Sequence, residues 1–254
     1  MEIPLFIKYL LVFTAGTAAG FFNVVAGGGS LITVPTMIFL GLPPAMANGT
    51  NRIAILSQNI TAVSRFKKKG YFSLKAGLIL GVTASAGALL GARIAVDLPG
   101  EVFNRILSAV MILVLILTLF GKRKDTSPKP GNRKDVIENI PLLAIAFFFV
   151  GIYGGFIQAG VGFIIIAVFS LLSGTTLVRT NSMKVFIVMI YTIPSLLVFI
   201  LNGQVQWSTG IVLAVGNSLG AWIGTNFTVS KGDRWIRIIL SLTISAMAVK
   251  LFFF

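Results

Sequence analysis

Two stretches decide the fold: AGGGSLITVPTMIFLGLPPAMANGTNRIA at residues 26–54 and AGVGFIIIAVFSLLSGTTLVRTNSMKVFI at residues 159–187. Laid over one another at an offset of 133, they share Gly27/Gly160, Gly29/Gly162, Gly41/Gly174 and Asn48/Asn181. The register continues without a gap through Gly70/Gly203, Gly77/Gly210, Gly87/Gly220 and Gly91/Gly224. Chance would give about one such glycine coincidence in windows of this length and glycine content, so the chain is an internal duplication. Ser85/Ser218, Val96/Val229 and Leu107/Leu240 extend the same register. The expected organisation is a first repeat at 1–120, a basic linker at 121–137 and a second repeat at 138–254.

The repeats belong in a bilayer. Apolar residues are 56% of the 254 and charged residues only 11%, outside the range of a soluble domain. Runs of spanning length, about 20 residues, occur at Leu5 to Ala26, Leu74 to Val96, Val102 to Phe120, Ile140 to Gly160 and Trp207 to Val229. They are too continuous for barrel strands, which alternate over about ten residues, so they read as helices. The first run is too long for a signal peptide and has no basic region before it, so it is expected to be retained. With no cysteine there is neither a disulfide framework nor a thiolate metal site.

The net charge of +14 is concentrated in short loops. Arg65, Lys67, Lys68 and Lys69 form one cluster, and Lys122, Arg123, Lys124, Lys129, Arg133 and Lys134 crowd the linker. Cations flanking apolar helices mark the cytoplasmic side, which accounts for the charge without a nucleic acid partner. Between the repeats the pattern reverses. The basic loop at Arg65 to Lys69 is followed by an acidic one at Asp97 to Glu101, whereas the uncharged loop Asn202 to Gln206 is followed by Lys231, Arg234 and Arg237. Equivalent loops then lie on opposite sides of the membrane, and the expected fold is an all-α polytopic bundle of two inverted repeats, each of five hydrophobic segments.

The second segment of each repeat is too short to cross. Ser30 to Leu40 and Phe163 to Leu172 give about 16 Å of helix against a hydrocarbon core of about 30 Å. Glycine-rich breaks precede them, Gly27, Gly28 and Gly29 in one copy and Gly160 and Gly162 in the other, and glycine permits the sharp turn of a re-entrant hairpin. Pro35 and the Pro43-Pro44 pair read as further interruptions, and the second copy has no proline pair. Two broken hairpins are expected to face each other near the middle of the bilayer.

The stretch GGGSLITVPTMIFLGLPPAMANGTNRIA resembles the sulfite exporter TauE/SafE family of membrane transporters. The shared signature is a glycine-rich turn, a short apolar segment with an internal proline, a Leu-Pro-Pro corner and a Gly-Thr-Asn helix start. The second copy repeats it in weaker form, so the resemblance covers nearly the whole chain. It implies a multi-pass carrier of the bacterial inner membrane for small sulfur-containing anions such as sulfite or sulfonates. Gly49-Thr50-Asn51-Arg52 stands where many relatives have Gly-Thr-Ser and an apolar residue, a departure that bears on the substrate.

The available chemistry agrees with a carrier. All seven acids (Glu2, Asp97, Glu101, Asp125, Asp135, Glu138 and Asp233) lie at ends or in loops, and histidine is absent, so no carboxylate or imidazole relay lies within the membrane. Without His or Cys, and without a serine in a G-x-S-x-G setting, no hydrolytic site can be assembled, and metal ligands are not clustered. AGGGS lacks the Gly-Lys-Ser/Thr of a phosphate loop. No enzyme, cofactor or metal is therefore expected; the partners are a small anionic substrate and the lipid bilayer, and an oligomer is compatible with the sequence.

Candidate substrate-binding residues are the polar groups inside apolar segments. Asn48, Asn51 and Arg52 are expected to open one helix and Asn181, Ser182 and Lys184 its counterpart, with Lys184 at the repeat position of Asn51. A cation at the bilayer centre costs about 2.5 to 3.5 kcal/mol on insertion scales, and a helix N-terminus carrying one makes an anion site. The alternative is that Arg52 and Lys184 snorkel to the headgroups and only set topology. Asn23 and Gln158 precede the glycine breaks, where they can bind substrate or cap backbone. Gln58, Asn59, Tyr191, Asn217 and Asn226 read as interhelical hydrogen-bonding groups, with pathway lining as the second option. The competing function is a membrane assembly factor or scaffold that transports nothing; it would not require duplicated hairpins with paired cations.

Overall fold

A computed structural model of the chain describes residues 4–71, 73–109, 140–173 and 175–253. The linker at 121–137, residues 110–120 of the apolar run from Val102, and Gly174 lie outside the described residues. The elements are α1 (Leu5–Val25), α2 (Ser30–Phe39), α3 (Pro44–Lys68), α4 (Leu74–Asp97), α5 (described over 100–109), α6 (Ile140–Phe156), α7 (Val161–Leu172), α8 (Leu177–Leu201) and α9 (Trp207–Phe253). No strand occurs among the described residues. α1, α4 and α8 are each long and apolar enough to cross a membrane.

Helix limits follow the sequence register. Both ends of α3 and α8 are offset by 133, as are the first residues of α4 and α9. The helix α9 is broken at Gly232 (φ 70, ψ −169), the repeat position of Pro99 between α4 and α5. Different chemistry starts the equivalent helices α3 and α8. Pro43 is extended (ψ 143) and Pro44 occupies the first helical position, where its missing N–H costs nothing. In α8 the Thr176 hydroxyl instead accepts from the Arg179 amide at 3.4 Å. Pro35, expected to interrupt, lies inside α2 without ending it: the short helix forgoes only the bond that the Leu31 carbonyl would receive.

Close packing fixes the direction of every long helix. Cβ atoms built at Gly87 and Gly91 of α4 would run into the carbonyl oxygens of Phe148 and Ile152 on α6, and Cβ atoms at Gly216 and Gly220 of α9 into those of Phe13 and Thr17 on α1. Contacts advance together in both pairs, so α4 runs parallel to α6 and α9 parallel to α1. Such small-residue faces let backbones approach where lipid offers no hydrophobic drive. Gly210 sits against Thr50 and Ile53, and the Ser57 and Ser218 hydroxyls are 2.7 Å apart, so α3 is parallel to α9. Gly77 and Gly81 meet Phe186 and Ile190, so α4 is parallel to α8. At the centre α3 and α8 cross antiparallel, Gly49 facing Phe199 and Arg52 bonding Ser195.

Three parallel helices, α1, α3 and α9, thus oppose α4, α6 and α8. Each group borrows its fourth-segment helix from the other half of the sequence. Val12, Met37, Ala54, Phe103 and Leu213 belong to one apolar cluster and Leu80, Phe147, Phe169 and Ile187 to another, while a third joins Val178 and Val185 of α8 to Val24, Ala62 and Ala221 of the opposing group. Leu10, Val82, Leu90, Phe149, Ile211, Val215 and Trp222 are exposed around the outside, an apolar belt suited to lipid rather than water. Arg65 stacks on Trp222 at 5.0 Å and Lys231 on Trp235 at 5.8 Å near the C-terminal end of α3, while Gln204 packs on Gly49 near its N-terminal end.

Candidate functional site

The site is built on the two glycine breaks. Between α1 and α2 the chain turns through Gly27 at φ 97, and between α6 and α7 through Gln158 at φ 64 and Gly160 at φ 72. These left-handed values are open to glycine and costly for glutamine, so Gln158 is held in place by its surroundings. The Tyr153 hydroxyl donates to the Ala159 carbonyl, and Gln158 Nε2 to Thr192 Oγ1 at 3.3 Å. The tips touch: a Cβ on Gly27 would lie 2.5 Å from Gly162 Cα, and one on Gly162 would collide with Gly27. The backbones of the two turns meet with nothing between them, as the facing-hairpin expectation requires.

Each turn is clamped by the third helix of the other half. Lys184 Nζ donates to the carbonyls of Asn23 and Val24 at 2.9 Å each and to Asn181 Oδ1 at 2.7 Å. Asn181 Nδ2 donates to the Val25 carbonyl at 3.0 Å. Across the molecule, Arg52 Nη1 donates to the Gly154 carbonyl at 3.2 Å and to Ser195 Oγ at 2.9 Å, and Nη2 to the Gly155 carbonyl at 2.5 Å. Asn48 Nδ2 donates to the Phe156 carbonyl at 2.7 Å. These carbonyls end α1 and α6, where unpaired oxygens and the negative end of the helix dipole favour a cation. The guanidinium also stacks on Phe199 at 4.5 Å. Asn51, at the repeat position of Lys184, ties its own hairpin instead, accepting from Thr33 at 2.7 Å and donating to Ser30 at 3.2 Å.

A small cavity of about 10 Å³, room for roughly one water, lies beside the joined turns. Asn23, Gln158, Lys184 and Gly162 line it, joined by Ser30 and Asn59 and by an apolar wall that includes Ile55 and Val188. Ser30 is the first residue of α2 and Gly162 the second of α7, so two half-helices begin at the cavity; the Leu31, Ile32 and Thr33 amides donate to the Gly28 and Gly29 carbonyls, and those of Val161 and Phe163 to Gln158 and Gly160. The cavity therefore combines an ammonium group, neutral amides and two positive dipole ends, an environment that suits an anion. Asn48, Asn51, Arg52, Asn181 and Ser182 stand behind it rather than along it.

Two sequence expectations change here. The residues Asn48 to Arg52 and Asn181 to Lys184 do not open their helices, because Pro44 and Leu177 start them one to two turns earlier; the helix N-termini at the cavity are those of α2 and α7. Snorkelling is also excluded, since Arg52 is 0% and Lys184 2% exposed. Sequence reasoning missed Ser30, although it stands inside the AGGGS break, and it assigned Asn59 to interhelical bonding, yet Asn59 Nδ2 is buried without a partner.

Comparison with known proteins gives the same class. The profile described as Sulfite exporter TauE/SafE matches residues 12–251. The chain is 30% identical over 242 residues to a "Probable membrane transporter protein ORF9" of Sinorhizobium sp, covering 94% of this chain and 90% of that one. It is 30% identical over 255 residues to "Probable membrane transporter protein YfcA" of Escherichia coli (strain K12), covering 100% and 92%. It is 28% identical over 244 residues to a "Probable membrane transporter protein" of Haemophilus influenzae, covering 94% and 93%. No solved structure matches. The similarity runs over nearly the whole chain, and the chain belongs to the sulfite exporter TauE/SafE family of membrane transporters and is not an enzyme.

Proposed function

We propose that the protein is a secondary-type transporter of the bacterial inner membrane that moves small sulfur-containing or organic anions, sulfite and sulfonates foremost, with export as the expected direction. The observation that carries this reading is the cavity at the joined turns, where Lys184 and the N-termini of α2 and α7 converge without any acid among the lining residues. Half-helices aimed at a central site are how duplicated carriers hold anions without a dedicated cofactor. Asn23, Gln158 and Lys184 reach the substrate in this scheme; Asn48, Asn51, Arg52, Asn181 and Ser182 set the shape of the turns.

Two inverted repeats, 1–120 and 138–254 with the linker at 121–137 on the cytoplasmic side, account for the helix directions. Equivalent helices α1 and α6, α3 and α8, and α4 and α9 run oppositely, which is the relation that the reversed loop charges require. The cavity lies where α3 meets α8, between the two helix groups, so a rocking motion of one group against the other would open it to alternate sides. The moving bodies in that motion are α1, α2, α3 and α9 against α4, α6, α7 and α8 rather than the two halves of the sequence. With no acid at the site, export of an anion can draw on the membrane potential, about 2.3 kcal/mol per charge per 100 mV.

Purified protein in liposomes, offered sulfite, sulfoacetate, taurine, thiosulfate and simple carboxylates, should show protein-dependent uptake of at least one sulfur anion, accelerated by a positive-inside potential. Failure to move any of them would leave transport of this substrate class without support.

A further inference from the structure

The duplication has placed chemistry on one side only. Every polar residue that lines the cavity has a repeat partner, and the partners differ: Asn23 pairs with Phe156, Ser30 with Phe163, Gln158 with Val25, Asn59 with Thr192 and Lys184 with Asn51. The mirrored set is largely apolar and carries no charge. Arg52, the other buried cation, is committed to the Gly154 and Gly155 carbonyls, Ser195 and the Phe199 ring, away from the cavity. The cavity therefore holds a single positive side chain.

Asn59 faces this cavity from α3, opposite the α8 residues Lys184, Val185 and Val188. It is 1% exposed, and its Nδ2 has no hydrogen-bond partner. A buried amide donor without an acceptor costs free energy in the folded state, and Gln158 Oε1, an unpartnered acceptor on the same lining, does not bond it, so the donor beside the cation is explained by an acceptor that arrives later. Lys184, by contrast, already spends its three donors on Asn23, Val24 and Asn181. An arriving oxygen can take the Asn59 proton at once but must compete with the end of α1 for the ammonium group.

We propose that Asn59 and Lys184 form the recognition pair of one asymmetric site per chain, and that the site selects an oxyanion bearing a single negative charge over a doubly charged one. This rests on the transport reading above and deepens it. One buried cation with neutral amides balances one charge; a second negative charge would remain uncompensated in a site lined by Ile55, Val161, Val185 and Val188, where burying it is expensive.

The test uses methanesulfonate, a permanent monoanion, and thiosulfate, a dianion at neutral pH, as competitors of sulfite uptake in liposomes, with binding to detergent-solubilised full-length protein measured in parallel by calorimetry. Wild type should bind one methanesulfonate per chain and discriminate against thiosulfate at least tenfold. Asn59→Leu, which keeps the volume and removes the donor, should weaken methanesulfonate binding about tenfold to a hundredfold while the protein still folds. Asn59→Asp, which cancels the site's single charge, should abolish it. Asn217→Leu serves as the control, because Asn217 is equally buried and unpartnered but does not line the cavity, and it should match wild type. Wild-type affinity in Asn59→Leu, two equivalents per chain, or a preference for thiosulfate would each overturn the inference while leaving transport intact. Wild type that neither binds nor moves any of the three anions would overturn both.

Discussion

Lys184 and Arg52 look alike in sequence and differ in what they touch. Both end a broken helix from across the molecule, but only Lys184 borders the cavity. Their substitutions should therefore separate. Lys184→Gln should weaken anion binding about tenfold to a hundredfold, the loss of a charge-assisted hydrogen bond in a partly dry site. Arg52→Gln should act on the fold, leaving the Gly154 and Gly155 carbonyls short of donors at about 1 to 3 kcal/mol each and lowering the thermal midpoint, with Arg52→Lys recovering part because a point charge cannot span both oxygens. Lys75, exposed at the start of α4, is the neutral control. Ligand-dependent thermal shift separates the two outcomes: a full anion-induced shift in Lys184→Gln would contradict the assignment. The sequence identified both cations because an ionised group in an apolar run is conspicuous. It could not tell which one borders the cavity, since that depends on how α3 and α8 cross.

The elements whose function matters most are the short ones, α2 and α7. Their existence was legible from length and from the AGGGS and QAGVG breaks, and their limits fell within two residues of the expected ones. Their role as the helix N-termini at the site was not, because the charged residues drew attention to α3 and α8 instead. Pro44 explains the error: a proline pair reads as a break, yet here it is the helix start, and it moves Asn48 a full turn inside. The contact between Gly27 and Gly162 gives a direct test of the turns. Gly162→Leu should abolish transport, because the side chain would enter the backbone of the opposing turn, whereas Gly203→Leu in a loop with open space around it should cost little beyond backbone strain. Uptake at the wild-type rate by a Gly162→Leu protein recovered from the membrane would remove the turns from the pathway.

At the scale of the whole molecule, the 133-residue register in the glycines reappears in helix limits, in the paired clamps and in the packing of α1 on α9 and α6 on α4. That much followed from the sequence because glycine positions encode backbone approach. The exchange of α4 and α9 between helix groups was not legible, since connectivity says nothing about which neighbour a helix chooses in lipid. Inversion is the claim on which the transport reading depends. Gln206 N donates to Thr50 Oγ1 at 2.9 Å, fixing the Asn202 to Gln206 loop beside the start of α3, whereas Lys68 ends that helix about 27 Å further on. The chain has no cysteine, so Lys68→Cys and Gln204→Cys can be labelled one at a time with an impermeant thiol reagent in intact cells. Gln204→Cys should react from outside and Lys68→Cys only after the membrane is opened; labelling of both from the same side would contradict the inverted repeat.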